Sequence, residues 1–262
     1  MQRRHFLATA GLAALGATSS TAWAAAAPQK RDYYELRMFI LETEEQRQLF
    51  DGYMKDAFIP ACNRAGVQPV GVFFPEKPDP KLASAYVLLR HTSAESVFGL
   101  TQKLLQDQEH LQKGAAYWNA PASAPAFKRM ETWLFLAFAG MPQIETPAKG
   151  PDRVFQLRIY ESPSVKTGQK KIEMFNDAGE IKIFREVGLN PVFFGEAIAG
   201  AKMPNLTYML GFEKPADMAE AWKRFGPHPE WQKLRKMPEY ADKEILCGIT
   251  NIVLKPAPYS QI

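Results

Sequence analysis

Nine residues in the C-terminal part of the chain have the types and spacing to do chemistry together: Arg158, Tyr160, Phe193, Phe194, Asn205, Tyr208, Trp222, His228 and Trp231. Mostly aromatic walls with a few polar groups describe a site for a small apolar or aromatic molecule. Arg158, Asn205 and His228 would be its polar minority. The same aromatics, at strand and helix spacing, equally describe a packed core. Arg158 recurs as Arg37 at a matching strand position, either as a structural ion pair or exposed strand residue or as a guanidinium that orients an anion. His228, held between Pro227 and Pro229, is either a helix-boundary residue or a group that polarises a substrate.

Other chemistries find little support. Apart from His5, the histidines are His91, His110 and His228, without the close His or Cys spacing of a zinc site, so no metal centre is expected. Haem would have one axial histidine and no attachment motif, and no cofactor is expected. No glycine-rich nucleotide loop appears, no Ser-His-Asp or Cys-His set can be assembled, and the basic run from Lys166 to Lys171 is expected to be a solvated helix face. Cys62 and Cys247 fall at non-equivalent places; an oxidising compartment allows a bridge between them, but buried free thiols are the plainer expectation.

The elements that must position these residues come in duplicate. Tyr34-Glu-Leu-Arg-Met-Phe39 is echoed by Phe155-Gln-Leu-Arg-Ile-Tyr160, and Gly66-Val-Gln-Pro-Val by Gly188-Leu-Asn-Pro-Val. The offset is 121 for Leu36 and Leu157, and 122 for Gly66 and Gly188, Pro69 and Pro191, and Tyr86 and Tyr208. A fixed period across strands and turns indicates a tandem supersecondary unit. In the first unit, alternation over 34–40 predicts a strand. Thr43 with Gln46 predicts a capped helix that Pro60 kinks and Gly66 stops, and strands follow over 67–74 and 85–90. A helix capped by Thr92 to Glu95 and a closing strand over 129–138 complete it. The second unit repeats β-α-β-β-α-β with strands over 154–160, 191–195, 206–212 and 247–254, and with helices interrupted near 176–179 and 226–229. Residues 139–152 form a Pro- and Gly-rich linker.

Each unit leaves one sheet face bare, so the two bare faces are expected to meet within one molecule. That makes the fold class α+β, two tandem ferredoxin-like repeats closing an intramolecular dimeric α+β barrel with four principal helices. Residues 1–24, with Arg3-Arg4-His5-Phe6-Leu7, a short apolar run and Ala22-Trp23-Ala24, resemble a twin-arginine export signal, which implies a periplasmic or otherwise exported protein. The hydrophobic fraction of 46% supplies a core, a net charge of +4 does not suggest a nucleic-acid partner, and no later stretch is expected to span a membrane.

Phe155-Gln-Leu-Arg-Ile-Tyr-Glu161, Gly188 to Gly195, Pro204-Asn-Leu-Thr-Tyr-Met-Leu210, Ala221-Trp-Lys-Arg-Phe225 and His228-Pro-Glu-Trp231 together resemble the NIPSNAP family. The resemblance covers nearly all of 153–256, taken as the C-terminal NIPSNAP domain; 32–138 is a divergent NIPSNAP-like repeat without counterparts to Asn205 or the Trp222 helix. It implies a ferredoxin-like dimeric α+β barrel and an unsettled molecular function. Binding of a small apolar or aromatic molecule in the C-terminal half is the leading expectation. A cofactor-independent monooxygenase or isomerase is one alternative, and an oligomerisation or protein-interaction module, with a possible homo-oligomer, is the other.

Overall fold

The computed structural model describes residues 30–78 and 85–262; the export-type segment 1–24 lies outside them. The first half contains β1 (Tyr33–Ile40), α1 (Glu44–Tyr53), α2 (Ile59–Arg64), β2 (Val70–Pro75), β3 (Ala85–His91), α3 (Ala94–Gln106), α4 (Gln108–Lys113), α5 (Ala115–Trp118) and β4 (Arg129–Ala137). The second contains β5 (Val154–Glu161), α6 (Val165–Asn176), α7 (Glu180–Val187), β6 (Pro191–Ala199), β7 (Asn205–Phe212), α8 (Pro215–Phe225), α9 (Pro229–Leu234), α10 (Asp242–Ile245) and β8 (Gly248–Pro256). The four expected helices are thus four helical tracts, each broken into shorter pieces.

All neighbouring strands are antiparallel and close into one barrel in the order β1-β3-β2-β8-β5-β7-β6-β4. Each half keeps the ferredoxin-like order, and two seams join the halves: β2 with β8 and β4 with β6. The bare faces meet as the inside of this barrel. Leu36, Phe73, Phe135, Phe155, Leu157, Phe193, Met209 and Leu254 fill it and are fully shielded from solvent, each large side chain contributing roughly 1.5–3 kcal/mol by burial. Two further apolar clusters lie outside the wall, one under the helices of each half.

Period-two geometry corrects one equivalence. Tyr86 projects into the barrel whereas Tyr208 projects outward toward the helices. In the cross-strand register Arg37 faces Val87 and Arg158 faces Tyr208, so Val87 is the true counterpart, at an offset of 121. A slip of one residue reverses the face on which a strand side chain stands.

Helix boundaries follow the local chemistry closely. Thr43 caps α1 by accepting from the Gln46 amide, while the Gln46 side chain returns to Glu42 N rather than to Thr43. Between α1 and α2 the chain forms a π turn over Met54–Phe58, just before Pro60, and Gly66 ends the tract at φ +82°. Ser93, not Thr92, caps α3, because its hydroxyl accepts from Ser96 N. The 139–152 connection is pinned: Glu145 N donates to Val192 O, and Lys149 N and Gly150 N donate to the Glu213 carboxylate. Cys62 and Cys247 are free; Cys62 is buried as expected, but Cys247 is exposed, since it sits at the surface turn before β8. No helix among the described residues is long and apolar enough to cross a membrane.

Candidate functional site

β5 sends Arg158 and Tyr160 outward, β6 sends Phe194, β7 sends Tyr208, and α8 and α9 close over them with Trp222 and Trp231. These six come together. The Tyr160 and Tyr208 hydroxyls share a hydrogen bond of 2.9 Å, Tyr208 stacks on Phe194 at 5.1 Å, and Arg158 lies 4.7 Å over the Trp222 ring. Trp222 Nε1 donates to Gln156 Oε1 at 2.7 Å. Phe175 and Phe184 wedge between these rings, in contact with both Phe194 and Tyr208, so the arrangement is a close-packed core.

The other three residues stand elsewhere. Phe193 faces the barrel interior, 4.9 Å from Tyr34. The Asn205 amide donates to Ala201 O and Lys202 O, both at 3.2 Å, and so braces the turn between β6 and β7. His228 precedes α9 with Nε2 3.3 Å from Glu186 Oε2. Lys171 departs from the solvated face expected of its run: it is 1% exposed, pairs with buried Glu180 at 3.3 Å, and lies 5.1 Å from the Phe175 ring centre. The reason is helical phase, since Lys171 falls on the stripe with Met174 and Phe175 that packs inward. Burial lifts the Glu180 carboxyl above its ordinary value despite the opposing Lys171 charge.

Open space lies in the other half. A cavity of about 450 Å³ separates the β1–β4 face from the helices, lined among others by Glu35, Arg37, Tyr53, Phe58, Tyr117, Trp118 and Thr132. Helix side chains explain it. In the second half Trp222 lies 4.7 Å over Arg158 and bonds Gln156, whereas at the same offset of 121 this half has Thr101, which lines the cavity beside Thr132. The π turn supplies Met54 and Phe58 to the wall, and such turns recur at functional sites.

Arg37 Nε donates to Glu35 Oε1 at 2.6 Å, and the guanidinium lies 5.3 Å over Phe58. Among the described residues its terminal nitrogens have no hydrogen-bond acceptor, leaving them available to the cavity. His91 Nε2 sits 3.4 Å from Glu35 Oε2, in ion-pair range, and His91 Nδ1 meets Ser96 Oγ at 3.0 Å. Burial would raise the Glu35 carboxyl, but His91 and Arg37 outweigh it and hold it below the ordinary carboxylate value.

A second polar set adjoins the cavity. Tyr53 OH lies 2.9 Å from His110 Nε2, and Trp118 Nε1 donates to the same nitrogen at 2.9 Å. Since the indole N–H can only donate, His110 Nε2 is the acceptor and Nδ1 donates to Leu104 O at 3.0 Å. Tyr117 stacks on Tyr53 with centroids 3.9 Å apart, and burial raises both phenols above their ordinary values. Among the described residues no group of three or more His, Cys, Asp or Glu is arranged to hold a metal.

Solved structures with the same architecture span both halves. A candidate monooxygenase from Lactobacillus acidophilus superposes with a TM-score of 0.57 at 8% identity, covering 86% of this chain and 94% of its own. A protein described as anthrone oxidase-like gives 0.52 at 9% identity over 88% and 93%. The chain has the dimeric α+β barrel fold. Its neighbours also include several NIPSNAP family proteins, such as one from Agrobacterium tumefaciens at 20% identity, covering 42% of this chain and 98% of its own with a TM-score of 0.37. No protein-family model and no curated protein matches the chain.

Within this barrel the first-half cavity combines aromatic walls for a flat apolar body with free guanidinium N–H groups for an anionic oxygen. Sequence reasoning gave Arg37 the same two readings as Arg158, a structural ion pair or exposed strand residue and an anion-orienting guanidinium, but did not single out Glu35, Tyr53, Tyr117 or Trp118 as site residues. The available signal was the contrast between Thr101 and Trp222, 121 residues apart on equivalent helices.

Proposed function

We propose that the protein binds a small aromatic or apolar molecule carrying an anionic oxygen, in the cavity between sheet and helices of the N-terminal half. The observation that carries this reading is Arg37: a mostly buried guanidinium, fixed through one nitrogen by Glu35, with its remaining donors turned to an aromatic-lined space. The sequence placed the same ligand class in the C-terminal half, where Phe175 and Phe184 occupy the space it would need. The test is calorimetric titration with a panel of phenolates and aromatic carboxylates. Arg37→Ala is expected to weaken binding at least about tenfold, the scale of a charge-assisted hydrogen bond, while Arg158→Ala leaves it unchanged; the reverse pattern, or no binding by folded wild type, would sink the proposal.

A catalytic version of this reading is favoured by the Tyr53–His110 pair. A substrate C–H or phenolic O–H would lose its proton to Tyr53 as Tyr53 passes its own to neutral His110 Nε2, with Arg37 holding the resulting anion. That step suits a cofactor-independent oxygenase or isomerase, and the neighbours described as a monooxygenase and as anthrone oxidase-like favour the oxygenase. Tyr53→Phe is expected to keep affinity within about threefold and to abolish exchange of the substrate proton with solvent. Export through the twin-arginine route remains part of the proposal, tested by periplasmic recovery of the wild type and its loss on Arg3→Lys/Arg4→Lys substitution.

A further inference from the structure

The cavity that holds Arg37 runs from a buried end to an open one. Glu35 and Arg37 are largely buried, whereas Thr101, Trp118, Met130 and Thr132, which line the same space, are exposed. Its mouth therefore lies between α3, α5 and β4. Among the described residues, the large apolar side chains that stand exposed in the first half are Phe98, Leu105, Trp118 and Met130. Trp118 and Met130 line the mouth, and Phe98 and Leu105 flank it. They sit three residues before and four after Thr101 on α3, positions that share one side of a helix.

Protein surfaces scatter single apolar side chains, but a set gathered round one opening marks a binding surface. The second half differs at the same places. At the offset of 121, Trp222 replaces Thr101 and covers Arg158, while Ala219 and Gly226 replace Phe98 and Leu105. Where the space over the arginine is closed, the apolar strip is missing as well. Opening and strip thus occur together, and the strip continues the aromatic walls of the cavity outward. Phe98 and Leu105 are two helical turns apart, so it extends roughly 10 Å along α3. Cations on the neighbouring segments are engaged: Lys103 donates to Ala65 O, Lys113 pairs with Glu109, and Lys128 pairs with Glu42. That arrangement seats an apolar chain and offers an anionic lipid surface little attraction.

We infer that the molecule bound beside Arg37 is an amphiphile, whose anionic head meets the guanidinium while an apolar chain leaves through the mouth and lies along Phe98 and Leu105. This rests on the reading of the Arg37 cavity as the binding site, and adds to it the class of ligand. A chain laid on the strip covers side chains that otherwise face water, and that burial is the source of its added affinity. A compact head alone would leave the strip bare.

The test is calorimetric titration of the full chain with para-methyl-, para-butyl- and para-hexylbenzoate, below the concentrations at which they form micelles. A fully buried methylene is worth about fourfold in affinity, so on a half-open strip each is expected to give about twofold, roughly thirtyfold from methyl to hexyl. Phe98→Gln/Leu105→Gln changes side chains that stand in solvent, and is expected to flatten the series until hexyl binds within about threefold of methyl. Val165→Gln, which removes an exposed apolar side chain in the second half, should leave the series steep. If the methyl compound binds and the hexyl one binds no tighter, or if the double variant keeps the gain, the inference falls while the Arg37 reading stands. If none of the three binds, both fall. A ligand-free wild type that sediments as a dimer split by the double variant, or that phosphatidylcholine vesicles carry down, would give the strip to a second copy or a bilayer and overturn the inference too.

Discussion

Glu35 is held below its ordinary value where burial alone would raise it, and the reason is the pair of groups against it, His91 and the Arg37 guanidinium. A carboxyl held below its unfolded value, about 4.3 for glutamate, adds stability that is complete above that value and disappears as the pH falls through the lower folded one. Glu35→Gln should therefore cost about 3 kcal/mol near neutrality, because it leaves the Arg37 charge buried and unpaired. Melting curves from pH 7 to pH 3 should show the gap from wild type narrowing in the acid range; a constant gap would assign the loss to packing instead. Lys171 and Glu180 offer the converse experiment. Lys171→Ala is expected to cost about 3–5 kcal/mol, while the paired replacement Lys171→Met/Glu180→Leu should be close to neutral, as for other buried ion pairs exchanged for apolar contacts; chemical denaturation of both variants decides it. The residues of the site were only half legible in the letters. Arginine at two equivalent positions was visible, but which one borders open space depends on whether the helix above it brings Trp222 or Thr101, a matter of how each helix docks on its sheet.

Two glycines end equivalent helices and separate backbone strain from contact. Gly66 has φ +82° with open space where a Cβ would go, so Gly66→Ala should cost only the left-handed conformation, about 1–2 kcal/mol. Gly188 has φ +83°, and there a Cβ would stand 2.9 Å from the Arg224 guanidinium, which caps Val187 O through two donors at 3.0 and 2.8 Å. Gly188→Ala should lose part of that cap as well and cost about 2–3 kcal/mol; equal losses in thermal melts would refute the role given to Arg224. At this scale the sequence was informative wherever the signal was local. Alternation located the strands, and Asn176 to Gly179 and Gly226 to Pro229 located the breaks between α6 and α7 and between α8 and α9. What escaped depended on partners distant in the chain. The inward turn of Lys171 requires Glu180 nine residues on, and the outer face of β7 is buried only because α6, α7 and α8 cover it.

The whole barrel holds at two seams, and they are unequal. β4 meets β6 over four register pairs, whereas β2 meets β8 only through Phe73, Phe74 and Pro75. The rest of β2 is satisfied by the segment after β8. Ala257 N and Gln261 N donate to Val72 O and Val70 O at 2.8 and 3.0 Å, and the Gln261 and Ser260 side chains accept from Val70 N and Val72 N at 2.8 and 3.0 Å. Ile262 is then carried into the barrel beside Gly71, whose missing side chain leaves the room: a Cβ would stand 3.0 Å from Ile262 Cδ1. A segment outside the repeat thus completes the weaker seam, so removal of 257–262 should do more than fray an end. Burial of one isoleucine is worth roughly 1.5–3 kcal/mol, and the four hydrogen bonds about 0.5–1.5 kcal/mol each. The truncated protein is expected to melt about 10 °C lower, at the few degrees per kcal/mol of a chain this size, and hydrogen exchange should quicken at Val70 and Val72 before the amides of β1 or β5. Ile262→Ala isolates the apolar part: it should cost about 2–4 kcal/mol and leave Val70 and Val72 protected. Fast exchange at those two amides in the Ile262→Ala variant would mean that the isoleucine, rather than the backbone bonds, holds β2 in place.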